Sequence, residues 1–254
     1  MTDRTALPPQ VIYALSLTGF VLFWWALSWA KGDPRILPAP SEVLTVIWAE
    51  AQSGRLWQHL SATLVRVGLA FALAMLFGTV LGVMLGRMPR ADRWLDPWVT
   101  IFLNLPALVV IVLCYLWIGL NEVAAIAAVT INKTAMVLAT MREGARTLRP
   151  EMAEMALVFR MPWVARLRHI VAPQLAPFLA TSARLGLAII WKIVLVVEFL
   201  GRSTGVGFQI HLKFQMFEIP AVLAYALSFV AVMLAIDALV IHPLEQRANR
   251  WRQR

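Results

Sequence analysis

Six stretches of the chain are almost entirely apolar, and the charged residues fall mostly between them. They cover residues 11–30, 61–85, 98–120, 123–141, 177–200 and 221–241. A helix rises 1.5 Å per residue, so about 20 apolar residues cross the roughly 30 Å hydrocarbon layer of a bilayer. Each stretch is about that long, far beyond the usual length of a strand, and the pattern predicts six transmembrane helices. The first run carries no charge and ends in Trp24, Trp25 and Trp29, as an interfacial aromatic belt does. A cleaved signal peptide is the rival there, since Ser28-Trp29-Ala30 imitates a small-x-small cleavage site. The run exceeds an h-region of about 7–15 residues, and Asp3 offsets Arg4, so a retained span is expected. The expected fold is an all-α membrane protein with one transmembrane domain over 1–254.

Composition agrees. Of the 254 residues 60% are apolar and 15% charged, against about 45–50% and about 25% in soluble domains. A core of this size cannot hide that excess, and lipid is the solvent that accepts it. One cysteine, Cys114, excludes a disulfide-stapled scaffold. The net charge of +9 would point to nucleic acid in a soluble protein. Here the cations cluster between the apolar runs and read as a topology signal instead. With the N-terminus inside, the inner segments hold fourteen Lys and Arg, among them Arg4, Arg87, Arg142, Arg168 and Arg254, and the outer ones five: Lys31, Arg35, Arg55, Arg202 and Lys213. Both termini are therefore expected to be cytoplasmic.

Two segments outside the runs are long enough to be structured. Over 36–60, Pro38 and Pro40 precede Ser41, a plausible N-cap, and an apolar stretch that breaks at Ser53-Gly54, predicting an interfacial helix. Over 142–176, the chain reads as a short helix stopped near Pro162, then an amphipathic helix ending before Pro173. Met155, Ala156, Phe159 and Trp163 form a stripe at 3–4 spacing. Read physically, this pair covers the ends of the neighbouring spans.

This loop resembles the permease subunits of ATP-binding-cassette importers of type I, whose cytoplasmic signature is Glu-Ala-Ala, three residues, Gly, nine residues, then Ile-x-Leu-Pro. Glu154, Ala156, Ile170 and Pro173 stand at the matching spacings. Met155, Arg160 and Ala172 replace the family's Ala, Gly and Leu, and the turn between the helices then falls to Pro162. The segments 37–44, 56–59, 64–68, 104–108 and 117–120, with Glu198-Phe-Leu-Gly201 and Gly205-Val-Gly207, are similar to permeases for sulfonates, taurine and nitrate. The resemblance implies a bacterial inner-membrane homodimer whose helix at Glu154, Met155, Ala156, Phe159, Arg160, Pro162 and Trp163 docks in a groove on each of two cytoplasmic ATPase subunits. A periplasmic or lipid-anchored binding protein delivers the solute. ATP and Mg belong to the partner, because no Lys follows a Gly in this chain and a phosphate-cradling P-loop is absent.

Ionisable residues inside spans are expensive and mark function or pairing. Depth along the helices pairs Arg66 with Glu198 near the outer face, and Arg184 with Asp237 near the inner face. Lys133, about 16 Å below the outer end of its helix, and Lys192, about 22 Å above the inner end of its own, have no acid at matching depth. Two such cations per copy fit a translocation path for a small anion, with Asn104 and Asn132 nearby. The structural alternative bonds the lysines to those asparagines or to backbone carbonyls. The four histidines are scattered, with neither metal-ligand spacing nor a nucleophile elbow, so no catalysis, bound cofactor, metal or nucleic acid is expected. A self-sufficient ion-coupled secondary transporter is the alternative function.

Overall fold

A computed structural model describes residues 9–241. Eleven α-helices are present among the described residues: α1 (Pro9–Lys31), α2 (Pro40–Gln52), α3 (Arg55–Arg87), α4 (Pro89–Asn104), α5 (Ala107–Ile118), α6 (Glu122–Arg146), α7 (Pro150–Val158), α8 (Trp163–Arg166), α9 (Ala172–Gly201), α10 (Val206–Gln215) and α11 (Ile219–Ile236). Four of these, α1, α3, α6 and α11, are individually long and apolar enough to cross a membrane. The predicted fifth span lies within α9, continuous for 30 residues. The positively charged ends invoked for topology at Arg4, Arg247, Arg250, Arg252 and Arg254 lie outside the described residues.

The predicted third span is not one helix. It breaks into α4 and α5, bent by 96°. Leu105 stands before Pro106, whose ring excludes it from helical geometry, and it takes extended angles (φ −66°, ψ 124°). The chain restarts as α5 one residue after the proline.

Close approach between α3 and α6 organises the core. Ala70, Ala74, Gly78, Gly82 and Gly86 recur every four residues and so line one face of α3. A Cβ at Gly78 would run into Val137, one at Gly82 into the Leu138 carbonyl, and one at Gly86 into Ala145. Small residues let two backbones approach where no hydrophobic force between helices is available in lipid. Against this seam pack Val110 and Ile111 of α5 and Ile190, Val194 and Val197 of α9, all buried. An apolar recess of about 720 Å³ lies between α3, α4 and α6. Its lining includes Phe77, Trp98, Phe102 and Ile131 but none of Asn104, Asn132, Lys133 or Lys192.

Three local expectations change. The helix over 40–52 is capped at Ala39, not Ser41: Pro40 takes the first helical position, and the Glu42 carboxylate accepts the Ala39 N–H at 3.0 Å. The helix after Pro162 does not stop at Pro173. A π-turn over Leu167–Val171 follows α8, Ala172 N–H reaching back to the Leu167 carbonyl, and leads directly into α9. Proline cannot donate to a carbonyl four residues back, and the widened turn absorbs that loss. A similar π-turn, Asp237–Ile241, ends the sixth predicted span.

Candidate functional site

At one end of the bundle, Arg66 is 5% exposed and uses its whole guanidinium fork. Nε and Nη2 donate to the two Glu122 oxygens at 2.8 and 2.7 Å. Nη1 donates to Glu198 Oε1 at 2.6 Å and to the Thr204 carbonyl at 2.7 Å, and Nη2 reaches the Thr204 hydroxyl. Glu198, fully buried, also accepts from Thr63 Oγ1 and from the Gly207 N–H, both at 2.9 Å. Arg202 adds a second cation, 2.5 Å from Glu122. Two carboxylates and two guanidiniums thus neutralise one another at the junction of α3, α6, α9 and the turn before α10.

That turn explains the glycines after Glu198. Gly205 has φ +113°, closed to most side chains, and a Cβ there would fall onto the Glu198 carboxylate. One on Gly207 would strike the Leu195 carbonyl. With the loop seated this closely, His59 Nδ1 accepts the Gly205 N–H at 3.1 Å and Thr63 Oγ1 accepts the Val206 N–H at 2.8 Å. Nearby, Tyr225 of α11 donates to buried Glu50 of α2 at 2.7 Å. The Arg66–Glu198 contact is legible from helix depth. Glu122, Arg202 and Thr204 escape that reasoning because they stand just outside the apolar runs; their signal is that each closes a span end beside the predicted pair.

At the opposite end, Arg142 of α6 donates to Asp92 and Asp96 of α4 at 3.1 and 2.7 Å, and Arg146 bonds Asp92 and Glu143. This second cluster, which sequence reasoning also misses, ties α4 to the last turn of α6. Arg184 and Asp237 both lie on exposed faces, and the ion pair expected between the two is not found among the described residues. Lys133 is buried, with no ion pair or hydrogen bond of its ammonium among the described residues, whereas Lys192 is exposed. Asn132 is half-buried; Asn104 is exposed and donates to the Thr100 carbonyl at 2.8 Å. The structure does not join either lysine to either asparagine.

Beyond α6 the chain forms the helix pair expected over 142–176, with its first residues absorbed into α6 and its last into α9. Ala156 is buried at 2% exposure. Leu157, Val158, Phe159 and Trp163 stand open at 66, 79, 74 and 76%, and Met155 and Glu154 are exposed beside them. Pro162 does not make the turn between the helices, contrary to the sequence expectation. Arg160 makes it, at φ +48°, with Met161 N–H returning to the Ala156 carbonyl at 2.9 Å and Arg160 N–H to Leu157 at 3.0 Å. Pro162 instead caps the start of α8. No group of three or more His, Cys, Asp or Glu able to hold a metal occurs among the described residues.

Comparison with known proteins fits this arrangement. Residues 74–243 match the family described as "Binding-protein-dependent transport system inner membrane component". A putative aliphatic sulfonates transport permease protein of Bacillus subtilis (strain 168) is 29% identical over 94% of this chain and 87% of its own length. The taurine transport system permease protein of Escherichia coli (strain K12) is 26% identical over 98% and 92%. Among solved structures, an amino acid ABC transporter chain superposes with a TM-score of 0.62 over 78% of this chain and 95% of its own, at 18% identity, which supports the fold. The self-sufficient transporter receives no support from these relatives. The family match begins within the small-residue seam of α3 and runs through the Arg160 turn to the end of α11, so the elements that give the molecule its geometry are those by which the chain belongs to the binding-protein-dependent inner-membrane components, the permease subunits of ATP-binding-cassette transporters.

Proposed function

We propose that two copies of this chain form the membrane path of an importer for a small organic or inorganic anion, driven by two cytoplasmic ATPase subunits and fed by a binding protein. Six crossings, with α4 and α5 together as the third, put both termini and the α7–α8 pair in the cytoplasm and the Arg66 cluster outside. The arginines of the loop support this orientation. Glu154, Met155, Ala156, Phe159, Arg160, Pro162 and Trp163 form the coupling surface. The observation that carries the reading is the run of open Leu157, Val158, Phe159 and Trp163 on a short helix pair whose Ala156 is buried. A rigid knob of this kind suits a groove on a partner.

The path is assigned to Lys133 and Lys192, with Asn104 at the break between α4 and α5 and Asn132 beside Lys133. Lys133 supports the anionic substrate: a buried ammonium without a protein anion is costly in a bilayer unless water or a passing anion meets it. The relatives are named for aliphatic sulfonates and for taurine, both of which carry a sulfonate group, and those substrates are carried here as part of the proposal. Irregular backbone at membrane depth is tolerated where it lines a wet cavity, which suits the Leu105-Pro106 break.

Reconstitution with co-expressed ATPase subunits and binding protein tests both parts. ATP-dependent uptake of an alkyl sulfonate is expected, with stable stoichiometric association of the ATPase. Lys133→Met keeps the apolar stem and removes the cation. Uptake should then collapse while thermal stability in detergent holds or rises. Loss of stability with uptake per folded molecule retained would make Lys133 a structural residue, and uptake by the chain alone would overturn the coupled importer.

A further inference from the structure

We infer that Arg160 is a specificity determinant for the ATPase partner: its guanidinium meets a fixed acidic residue at the rim of the groove that receives the α7–α8 knob. The inference rests on the coupling reading above. Its starting point is a backbone conflict. Arg160 adopts φ +48°, in the left-handed region that side chains other than glycine enter at a cost. The importer signature that this loop resembles has glycine there, and glycine would make the same turn without strain. The turn is required regardless, because it closes α7 through the Met161-to-Ala156 and Arg160-to-Leu157 hydrogen bonds. A side chain placed at such a position needs a compensating use.

The chain itself supplies none. Arg160 is exposed, and its guanidinium has no hydrogen-bond or ion-pair partner among the described residues. The contrast with Arg66, Arg142, Arg146 and Arg202, each bonded to one or more carboxylates, is complete. Arg160 also lies at the edge of the open apolar surface, one residue after Phe159 and three before Trp163. An apolar knob bordered by an unsatisfied cation fits a groove with an apolar floor and a carboxylate at its rim, and an Arg fork at such a rim sets partner choice and register. Anionic lipid is the competing acceptor. A fluid headgroup layer is served equally by Arg149, Arg166 or Arg168 on unstrained backbone. It gives no reason to hold a guanidinium at the strained position, whereas a fixed acceptor does.

The test uses the full-length permease in nanodiscs, titrated with its purified ATPase subunit over a range of salt, in neutral and in phosphatidylglycerol-containing lipid. Arg160→Gln should bind about tenfold more weakly, with a shallower salt dependence in both lipids, and Arg160→Lys should retain most of the affinity. Arg160→Gly should also lose affinity, yet the isolated permease should melt at the same temperature or about 2–4 °C higher as the strain is relieved. Unchanged affinity and salt dependence for Arg160→Gln would overturn the inference while leaving the coupling reading intact. A difference confined to phosphatidylglycerol discs would assign the guanidinium to lipid and overturn it too. Failure of the unaltered permease to bind the ATPase at all would overturn the coupling reading and this inference together.

Discussion

The two ends of the bundle solve the same problem in opposite ways. Around Arg66, the guanidinium and Glu198 are buried, and each nitrogen of the Arg66 fork meets an acceptor of the same chain: two carboxylates, a carbonyl and a hydroxyl surround it. Around Arg160, large apolar side chains are mostly exposed, and the guanidinium has no hydrogen-bond or ion-pair partner among the described residues. A buried ion pair is stable only if its geometry and hydrogen bonds repay desolvation, so the first end is built as a closed unit and tolerates little change. In the proposed reading, the second end leaves its favourable contacts to be made by the ATPase partner. Contiguous open apolar side chains outside a bilayer mark a surface for a partner. The contrast teaches where stability resides in this protein and where the proposed coupling function would be exposed to mutation.

Breaking the closed end should give the largest effect. Arg66→Ala strands Glu198 in a site with no access to water, a cost of about 3–5 kcal/mol. It should show as loss of the folded permease in detergent by thermal unfolding and size-exclusion chromatography. Near-normal stability of that variant would mean that the network is not buried as described.

A smaller loss is expected from Gly205→Ala. The added methyl meets the Glu198 carboxylate, and the backbone stands at φ +113°. The combined strain should cost about 1–3 kcal/mol, read as a lower melting temperature while ATPase binding per folded molecule stays unchanged. Retention of wild-type stability would sink the account of why glycine occupies this position.

The open end should respond least in stability and most in assembly. Phe159→Ala should change unfolding free energy by less than about 0.5 kcal/mol, since the ring is 74% exposed. ATPase association in a pull-down or titration should nevertheless fall sharply. If Phe159→Ala destabilises the permease by several times that amount, the ring is part of a packed interface within the chain, and the comparison between the two ends fails.

Parts of this arrangement are legible in the residues alone. The Arg66–Glu198 pair follows from counting depth along two helices, and the α7–α8 pair from Pro162 and the 3–4 spacing of its apolar residues. The same depth count sets Arg184 level with Asp237, and a contact between those two is not found among the described residues. The bend in the third span has a local signal in Leu105-Pro106, outweighed by the continuous apolar run around it. Arg160 has no local signal as the turn residue, since propensity disfavours arginine at positive φ and Pro162 stands nearby as the obvious breaker.

Hydropathy and charge by themselves determined that the chain is helical and belongs in a bilayer, where the apolar runs lie and which loop stands out. Those properties are local sums: each residue adds its own transfer free energy, wherever its neighbours turn out to be. Which carboxylates reach Arg66, why Gly205 cannot carry a side chain, how α3 and α6 come together along Ala70 to Gly86, and that Lys133 is enclosed while Lys192 is open were decided only by the tertiary structure. Ion pairing and close packing depend on the rotation of each helix about its axis and on segments far apart in the chain, and neither quantity is written in any one stretch of sequence.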